Sequence, residues 1–410
     1  MNIYVVWAAP LLMAGIACLA ASPLFAAADA SDERSSSAPR FSNLDGLRGY
    51  LALSVALHHG VITYHYLTTG AWVAPPSGFY NQLGQASVGL FFIITGFLFW
   101  GKILRSGGRL DFPELLVGRA FRIGPVFLTL IITLMAFAIV SQGFAVVVPA
   151  KVLMLELLQN LSLGILPVSG FNGVDLPHQL AGVTWTLVYE WEFYLFLPAV
   201  ACLAWRRDVT MPAIAGLLVA AIVIAALTRA SGFIIMAQFL TGMFCATLSH
   251  RELKPKLQPW LLSALAAACL VIAYGHYPDT LRKPWATAFL GLAFYFVISG
   301  ADLFGLLRLR ASHRLGAISY DLYLCHGAVL AAVFAIPALR DAALTSRLTY
   351  WVVLASIVTV AVMLALALHV WIERPGMALG RRVIARLRTP QIARTAPEIN
   401  GLRSGPVAAE

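Results

Sequence analysis

Arg48 and His59 stand eleven positions apart in a largely apolar stretch. Eleven steps along an α-helix return to within about 20° of the starting azimuth and rise about 16.5 Å, so both side chains share one face. In a membrane span this puts a cation at the mouth and an imidazole about halfway through a ~30 Å hydrocarbon core. An ionisable group at that depth is a functional candidate by default. The competing reading is a histidine hydrogen-bonded to a neighbouring helix, and His58, about 100° away, fits that reading better. Glu190 lies a turn or so into the apolar segment beginning at Trp185, and Glu192, about 200° away from it, cannot share its face. Its alternative is a buried hydrogen bond to a Trp or Tyr on a neighbouring helix. Ser319, Tyr323 and His326 fall at i, i+4 and i+7 on one helix face, with Asp321 off it. That face lines either a path or a packing seam. Arg119 and Arg122, three apart, share a face if helical. Their planar forks suit phosphate; the alternative is an anchor among lipid headgroups.

These side chains need elements to hold them. Of 410 residues 60% are apolar and 12% charged, and mean hydropathy is +0.80. Soluble domains carry roughly 45–50% apolar and about 25% charged residues. A soluble enzyme, a disordered chain and a disulfide-stapled secreted domain are excluded. The apolar runs are continuous and do not alternate, which speaks against a β-barrel. The fold class expected is all-α, a polytopic membrane bundle of about ten core transmembrane helices plus one extra N-terminal hydrophobic segment. The segments are 3–27, 49–67, 86–104, 123–141, 185–204, 211–228, 232–249, 258–275, 284–303, 317–337 and 349–371. The stretch 145–183 reads as an extramembrane loop with a short amphipathic helix near 150–163. The five cysteines sit in apolar runs without metal-ligand spacing and read as small core residues.

The formal charge of +10 does not point to nucleic acid, because the cations cluster in short loops. Six of the 29 Lys and Arg (Lys151, Arg229, Arg282, Lys283, Arg340 and Arg347) fall on one side of the expected topology and the other 23 on the opposite side. By the positive-inside rule the side holding Arg48, the 101–122 loop and the C-terminus is cytoplasmic. Residues 3–27 end in Leu24-Phe-Ala-Ala-Ala-Asp-Ala30, which looks like a signal-peptidase site, yet no Lys or Arg precedes it. Cleavage would also place Arg34, Arg40 and Arg48 outside. An extra span with its N-terminus outside is therefore expected, the alternatives being a cleaved signal or a misassigned start. The domains expected are 1–40 as hydrophobic segment and linker, 41–375 as membrane domain and 376–410 as a basic, polar cytoplasmic tail.

Six blocks follow one another: Asp45-Gly-Leu-Arg48 with ten residues to His59; Ser87-Val-Gly-Leu-Phe-Phe-Ile-Ile-Thr-Gly-Phe97; Arg119-Ala-Phe-Arg122; Trp185-Thr-Leu-Val-Tyr-Glu-Trp-Glu-Phe-Tyr194; Ser319-Tyr-Asp-Leu-Tyr-Leu-Cys-His326; and Glu373-Arg-Pro375. In order and spacing they resemble the acyltransferase-3 family of bacterial membrane O-acyltransferases. Two positions depart from its pattern: Gly89 stands where the family usually has Asp, and Thr95 where it has Ser. The resemblance implies O-acylation, usually O-acetylation, of a cell-surface or lipid-linked carbohydrate, with acetyl-CoA as donor substrate, no permanently bound cofactor and no metal. It makes His59 the general base or, less favoured, a transient acyl carrier, with Glu190 as the acid that orients it. Arg48, Arg119 and Arg122 would receive the phosphates of acyl-CoA from the cytoplasm. Ser319 and Tyr323 would line the donor path, and His326 would line it or polarise the thioester. Relay of the acyl group through Tyr194 or Tyr323 is a lesser alternative. The partners expected are acyl-CoA, the carbohydrate acceptor and membrane lipids, with no nucleic acid. Only about 35 residues follow Pro375, so a second step would need a separate periplasmic partner. The location expected is the bacterial inner membrane, multi-pass. A transporter or flippase of a lipid-linked glycan is the alternative function, and a non-catalytic scaffold a third.

Overall fold

The computed structural model describes residues 3–29, 41–276, 279–281 and 283–395. The linker around Arg34 and Arg40, Arg282 and the tail beyond Thr395 lie outside the described residues. Among those described there is no strand, only an isolated bridge between Phe171 and Val174. Sixteen α-helices follow in order: α1 Ala8–Ala21, α2 Ser42–Thr69, α3 Gly78–Arg105, α4 Phe112–Ser141, α5 Ala150–Leu161, α6 Leu176–Gln179, α7 Trp185–Ala201, α8 Arg207–Thr228, α9 Ser231–His250, α10 Pro259–His276, α11 Pro284–Ile298, α12 Arg310–Ala317, α13 Ser319–Phe334, α14 Pro337–Ala343, α15 Arg347–Leu368 and α16 Arg374–Thr395.

The fold is an all-α polytopic bundle. Among the described residues seven helices are long and apolar enough to cross a membrane: α3, α4, α7 with the turn after it, α8, α9, α10, and α15 continued into α16. An eighth forms if α12 and α13, bent by 68°, count as one. This is fewer than the ten expected. The 15-residue α11 is too short to meet the length test, and α2 is long but too polar. The 28-residue α2 tolerates Asp45, Arg48, His58 and His59 because α3, α12 and α13 cover most of it. Polar groups within a membrane are satisfied by protein, not lipid.

Three helices extend beyond the apolar runs that reveal them in the sequence. α4 begins at Phe112, not 123, because Asp111 caps it: the Asp111 carboxylate accepts the Glu114 N–H at 3.0 Å, and Pro113 sits in the first turn. Arg119 and Arg122 are therefore about 10 and 15 Å along a helix instead of in a surface loop. α2 begins at Ser42, and Arg48 lies about 9 Å inside it. The last span does not stop at 371; through a π-helical turn, His369–Glu373, it continues into α16. Pro375 has no N–H to return to the Trp371 carbonyl, and the turn before it widens, with the Arg374 N–H bonded to the His369 carbonyl.

Glycines let the polar start of α2 meet its neighbours backbone to backbone. A Cβ on Gly46 would lie 2.2 Å from the Leu307 carbonyl oxygen, and one on Gly316 1.9 Å from that of Asp45. α1 spans only 14 residues, about 21 Å, short of a ~30 Å core. A 3₁₀ turn, Pro23–Ala28, follows it. Arg314, counted above among the cytoplasmic anchors, is instead almost wholly buried (2% exposed). It caps α1 by donating to the carbonyls of Ala20, Ala21 and Ser22 at 2.8, 3.1 and 2.7 Å, and it pairs with Asp29 at 2.7 Å. Together with Arg310 it holds the Asp29 carboxyl well below the usual carboxylate range. The loop between α4 and α7 carries α5 where a short amphipathic helix was expected, with Met154, Leu155, Leu158 and Leu161 on its exposed face.

Candidate active site

α2, α3, α4, α7 and α13 enclose a cavity of about 790 Å³ that opens between the ends where α2 and α4 begin and α3 ends. Five cations line it: Arg48 from α2, Lys102 and Arg105 from α3, Arg119 and Arg122 from α4. The spacing of Arg119 and Arg122 does put both on one face, and their guanidiniums lie over aromatic rings. Arg119 Cζ is 4.8 Å from the Phe99 centroid and 5.8 Å from that of Tyr194; Arg122 Cζ is 5.8 Å from that of Tyr320. Stacking fixes the plane of each fork, as recognition of a multiply charged phosphate requires.

Glu190 is the one acid on the cavity wall among the described residues. It enters from the opposite end, about 7 Å into α7. It does not orient His59. Its carboxylate accepts from the Tyr194 hydroxyl at 3.3 Å, one turn along the same helix and not on a neighbouring one, and it also faces the cations. Ser319 and Tyr323 line the same wall. The Ser319 hydroxyl donates to the Gly316 carbonyl at 2.8 Å across the bend between α12 and α13. The Tyr323 hydroxyl lies 3.0 Å from the Thr186 hydroxyl and donates to the Val183 carbonyl at 3.2 Å, tying α13 to the start of α7.

One turn along α13 from Tyr323, His326 meets His59. His59 Nδ1 and His326 Nε2 are 3.0 Å apart, and the rings stack with centroids 5.1 Å apart at 25°. The second nitrogen of His326, Nδ1, lies 3.0 Å from the Leu322 carbonyl. A carbonyl only accepts, so His326 Nδ1 carries the proton and its Nε2 is a lone pair. His59 Nδ1–H must then be the donor, which leaves His59 Nε2 unprotonated. His326 is buried and His59 half-buried. His58 behaves as expected of a structural residue: its Nδ1 donates to the Tyr80 carbonyl at 2.7 Å, and its ring fills the space beside Gly84.

The departures from the family pattern fall in different places. Val88, Phe91, Thr95 and Lys102 form the cavity-facing stripe of α3, and Gly89 lies off it. A Cβ at 89 would sit 3.0 Å from Gln238 Nε2, so a fully buried amide on α9 fills that space and no acid replaces the missing one there. Thr95 keeps the hydroxyl, bonded to the Phe91 carbonyl at 2.9 Å.

Behind the cavity wall lies a charged cluster for which no role was read from the sequence. Arg122 Nη1 is 2.8 Å from Glu373 Oε1 and 3.0 Å from Met377 Sδ. Glu373 also bonds His369 Nδ1, and Asp321 Oδ2 lies 3.5 Å from that nitrogen. All three side chains are buried, and their ligand-type atoms lie within 4.8 Å of one another, close enough for a cation. Both Asp321 oxygens and Glu373 Oε1 lack a hydrogen-bond donor of good geometry, so Arg122 meets Glu373 as a close ion pair. The Glu-x-Pro block was visible, but the partnership of Glu373 with Arg122 spans 251 positions and has no periodic signal.

A family model described as an acyltransferase domain matches residues 41–369. The chain is 27% identical over 334 residues to the exopolysaccharide production protein ExoZ of Rhizobium meliloti (strain 1021), covering 77% of this chain and 96% of that protein. It is 29% identical over 178 residues to nodulation protein 10 of Rhizobium leguminosarum bv. viciae, covering 40% of this chain and 45% of that protein. No solved structure matches the chain.

Proposed function

Because the chain belongs to the acyltransferase-3 family of membrane proteins, we propose that it moves an acyl group, acetyl by default, from acyl-CoA to a hydroxyl of a cell-surface or lipid-linked polysaccharide. The observation that carries this reading is the five-cation cavity ending at Tyr323, one turn from a histidine pair whose outer member has a free nitrogen. Coenzyme A bears a pyrophosphate and a 3′-phosphate, and stacked arginines are suited to both. The positive-inside count supports a mouth and C-terminus facing the cytoplasm, where acyl-CoA is found, and hence a bacterial inner membrane. The name of the relative that matches most of the chain, a protein of exopolysaccharide production, supports a polysaccharide acceptor. Seven residues on from His59 along α2, hence on the same face, Tyr66 groups with Trp72 and His178, ring centroids 4.7 and 4.6 Å from His178, a surface on which sugar rings can stack. A separate periplasmic partner would present or further process the acceptor.

The acceptor hydroxyl gives its proton to His59 Nε2 while its oxygen attacks the thioester carbonyl carbon. His326 takes no proton; it holds His59 in the tautomer that leaves Nε2 free, and it supports the imidazolium that forms. The C–S bond breaks, and the thiolate recovers the proton and departs as coenzyme A. Arg48, Arg119 and Arg122 hold the donor, and Ser319 and Tyr323 line its thioester arm.

Calorimetric titration of the detergent-solubilised chain with coenzyme A tests the donor reading. The expected result is saturable binding that falls at least about tenfold in Arg119→Ala, the loss of one charge-assisted phosphate contact. A transporter of lipid-linked glycan would leave coenzyme A unbound and acetyl-CoA intact.

A further inference from the structure

The buried cluster behind Arg122 has no part in the reaction as written, yet three ionisable groups at that depth are an unfavourable arrangement unless they serve something. Arg122 is where the cluster and the cavity meet. One side of its guanidinium faces the cavity and Tyr320, and Nη1 turns back to Glu373. Glu373 does not line the cavity and is fully buried. His369 Nδ1 bonds Glu373 and stands at ion-pair distance, 3.5 Å, from Asp321 Oδ2, so a positive charge there offsets both carboxylates. The widened turn at Pro375 sets where Glu373 and His369 stand relative to α4. α16 then packs along α4: a Cβ on Gly376 would lie 2.5 Å from Pro125 Cγ, and one on Gly380 2.6 Å from Phe121 Cβ.

We propose that Glu373 is a positioning residue for the donor site: held by His369, whose charge Asp321 supports, it fixes the Arg122 guanidinium in the orientation that receives a phosphate of acyl-CoA. This rests on the acyl-CoA reading of the cavity. The charges favour it over a metal site built from the same three side chains. Arg122 and a protonated His369 balance the two carboxylates, whereas a divalent cation would have to displace the proton that Nδ1 shares with them. Without Glu373 the Arg122 side chain would swing between rotamers and toward Glu190, the other acid facing it, and lose the bidentate geometry that distinguishes Arg from a simple positive charge.

The test is a double-mutant cycle on the full-length solubilised chain, with coenzyme A as the titrant. Glu373→Gln, which keeps volume, is expected to weaken coenzyme A about tenfold, Arg122→Ala by at least as much, and the pair together by no more than Arg122→Ala alone. In acyl transfer, Glu373→Gln raises the acyl-CoA KM and leaves kcat within about threefold, and Glu373→Asp recovers part of the loss. Additive effects on affinity, or a fall in kcat at unchanged KM, overturn the proposal. If Glu373→Gln does not fold, His369→Asn gives the same shift in the same direction but smaller, and unchanged affinity there overturns it equally. About one divalent metal per wild-type chain, lost in Asp321→Asn, would make the cluster a metal site and overturn it as well. Should the wild type not bind coenzyme A, the reading of the cavity fails. Positioning is then judged from an electron cryo-microscopy map of Glu373→Gln, where a displaced Arg122 supports it and an unmoved one overturns it.

Discussion

Two imidazoles in this protein are surrounded in opposite ways. His59 meets the imidazoles of His326 and His58 and bonds no carboxylate, and it is half-buried. His369 is sealed between the carboxylates of Glu373 and Asp321, with Arg122 beyond. A histidine enclosed by anions keeps its proton and acts as a strut. A histidine that meets neutral groups, here a ring fixed by a backbone carbonyl, offers a lone pair and can take a proton when substrate arrives. Burial within the bundle is thus not what marks a base, because both lie on long helices packed inside it. What differs is the second shell of donors and acceptors, and that shell is set by α13, which presents His326 on one face and Asp321 on another.

Substitutions can break or sharpen this contrast. The largest effect is expected at His59: His59→Ala lowers acyl transfer by about 10²–10⁴-fold, the usual worth of a general base, with coenzyme A affinity within a factor of two. Transfer assays on purified protein measure both. At His369 the expectation reverses. His369→Ala leaves two buried carboxylates without their shared proton and costs about 3–5 kcal/mol of stability, visible as a lower midpoint of thermal unfolding, while kcat changes little. A large kcat loss at His369 with normal stability would erase the distinction between the two sites. His58 is an internal control beside the base. His58→Asn loses the bond to the Tyr80 carbonyl, costs about 1–3 kcal/mol and leaves kcat unchanged. The smallest effect belongs to Asp29, a carboxylate on the surface held by Arg314 and Arg310. Its folded-state value lies below its unfolded one. It therefore stabilises the docked α1 above the unfolded carboxylate range near pH 3.9 and ceases to do so as pH falls through the lower folded value. Hydrogen exchange at Ala20–Ser22 should quicken slightly in that acid window, and Asp29→Asn should show the faster rate at neutral pH.

Much of this was legible before the structure. Apolar runs reveal helices because a membrane span must be continuous and apolar, and the eleven-residue spacing of Arg48 and His59 is a geometric fact of the helix. The same method underestimates helices whose first turns are polar. The Asp111-Phe-Pro-Glu114 box was the signal that α4 begins early, and it moves Arg119 and Arg122 from a surface into a cavity. The face shared by Ser319, Tyr323 and His326 is legible by period, but the meeting of His326 with His59, 267 positions away, is not. Glu190 illustrates the limit most clearly. Its place in the cavity follows from its helix, and its bond to Tyr194 is an i, i+4 pair within α7; that it does not bond His59 depends on how α7 is rotated against α2, which no spacing encodes.

The claim on which the account turns is that donor and acceptor approach a single imidazole from opposite faces of the bilayer. Proteoliposomes with acetyl-CoA sealed inside and chemically deacylated polysaccharide of the host strain supplied only outside, with the chain oriented so that its basic loops face the lumen, test this directly. Acetylated polysaccharide should accumulate outside with free coenzyme A left within, and His59→Ala vesicles should form neither. Product that appears only when both substrates share one compartment would contradict the account.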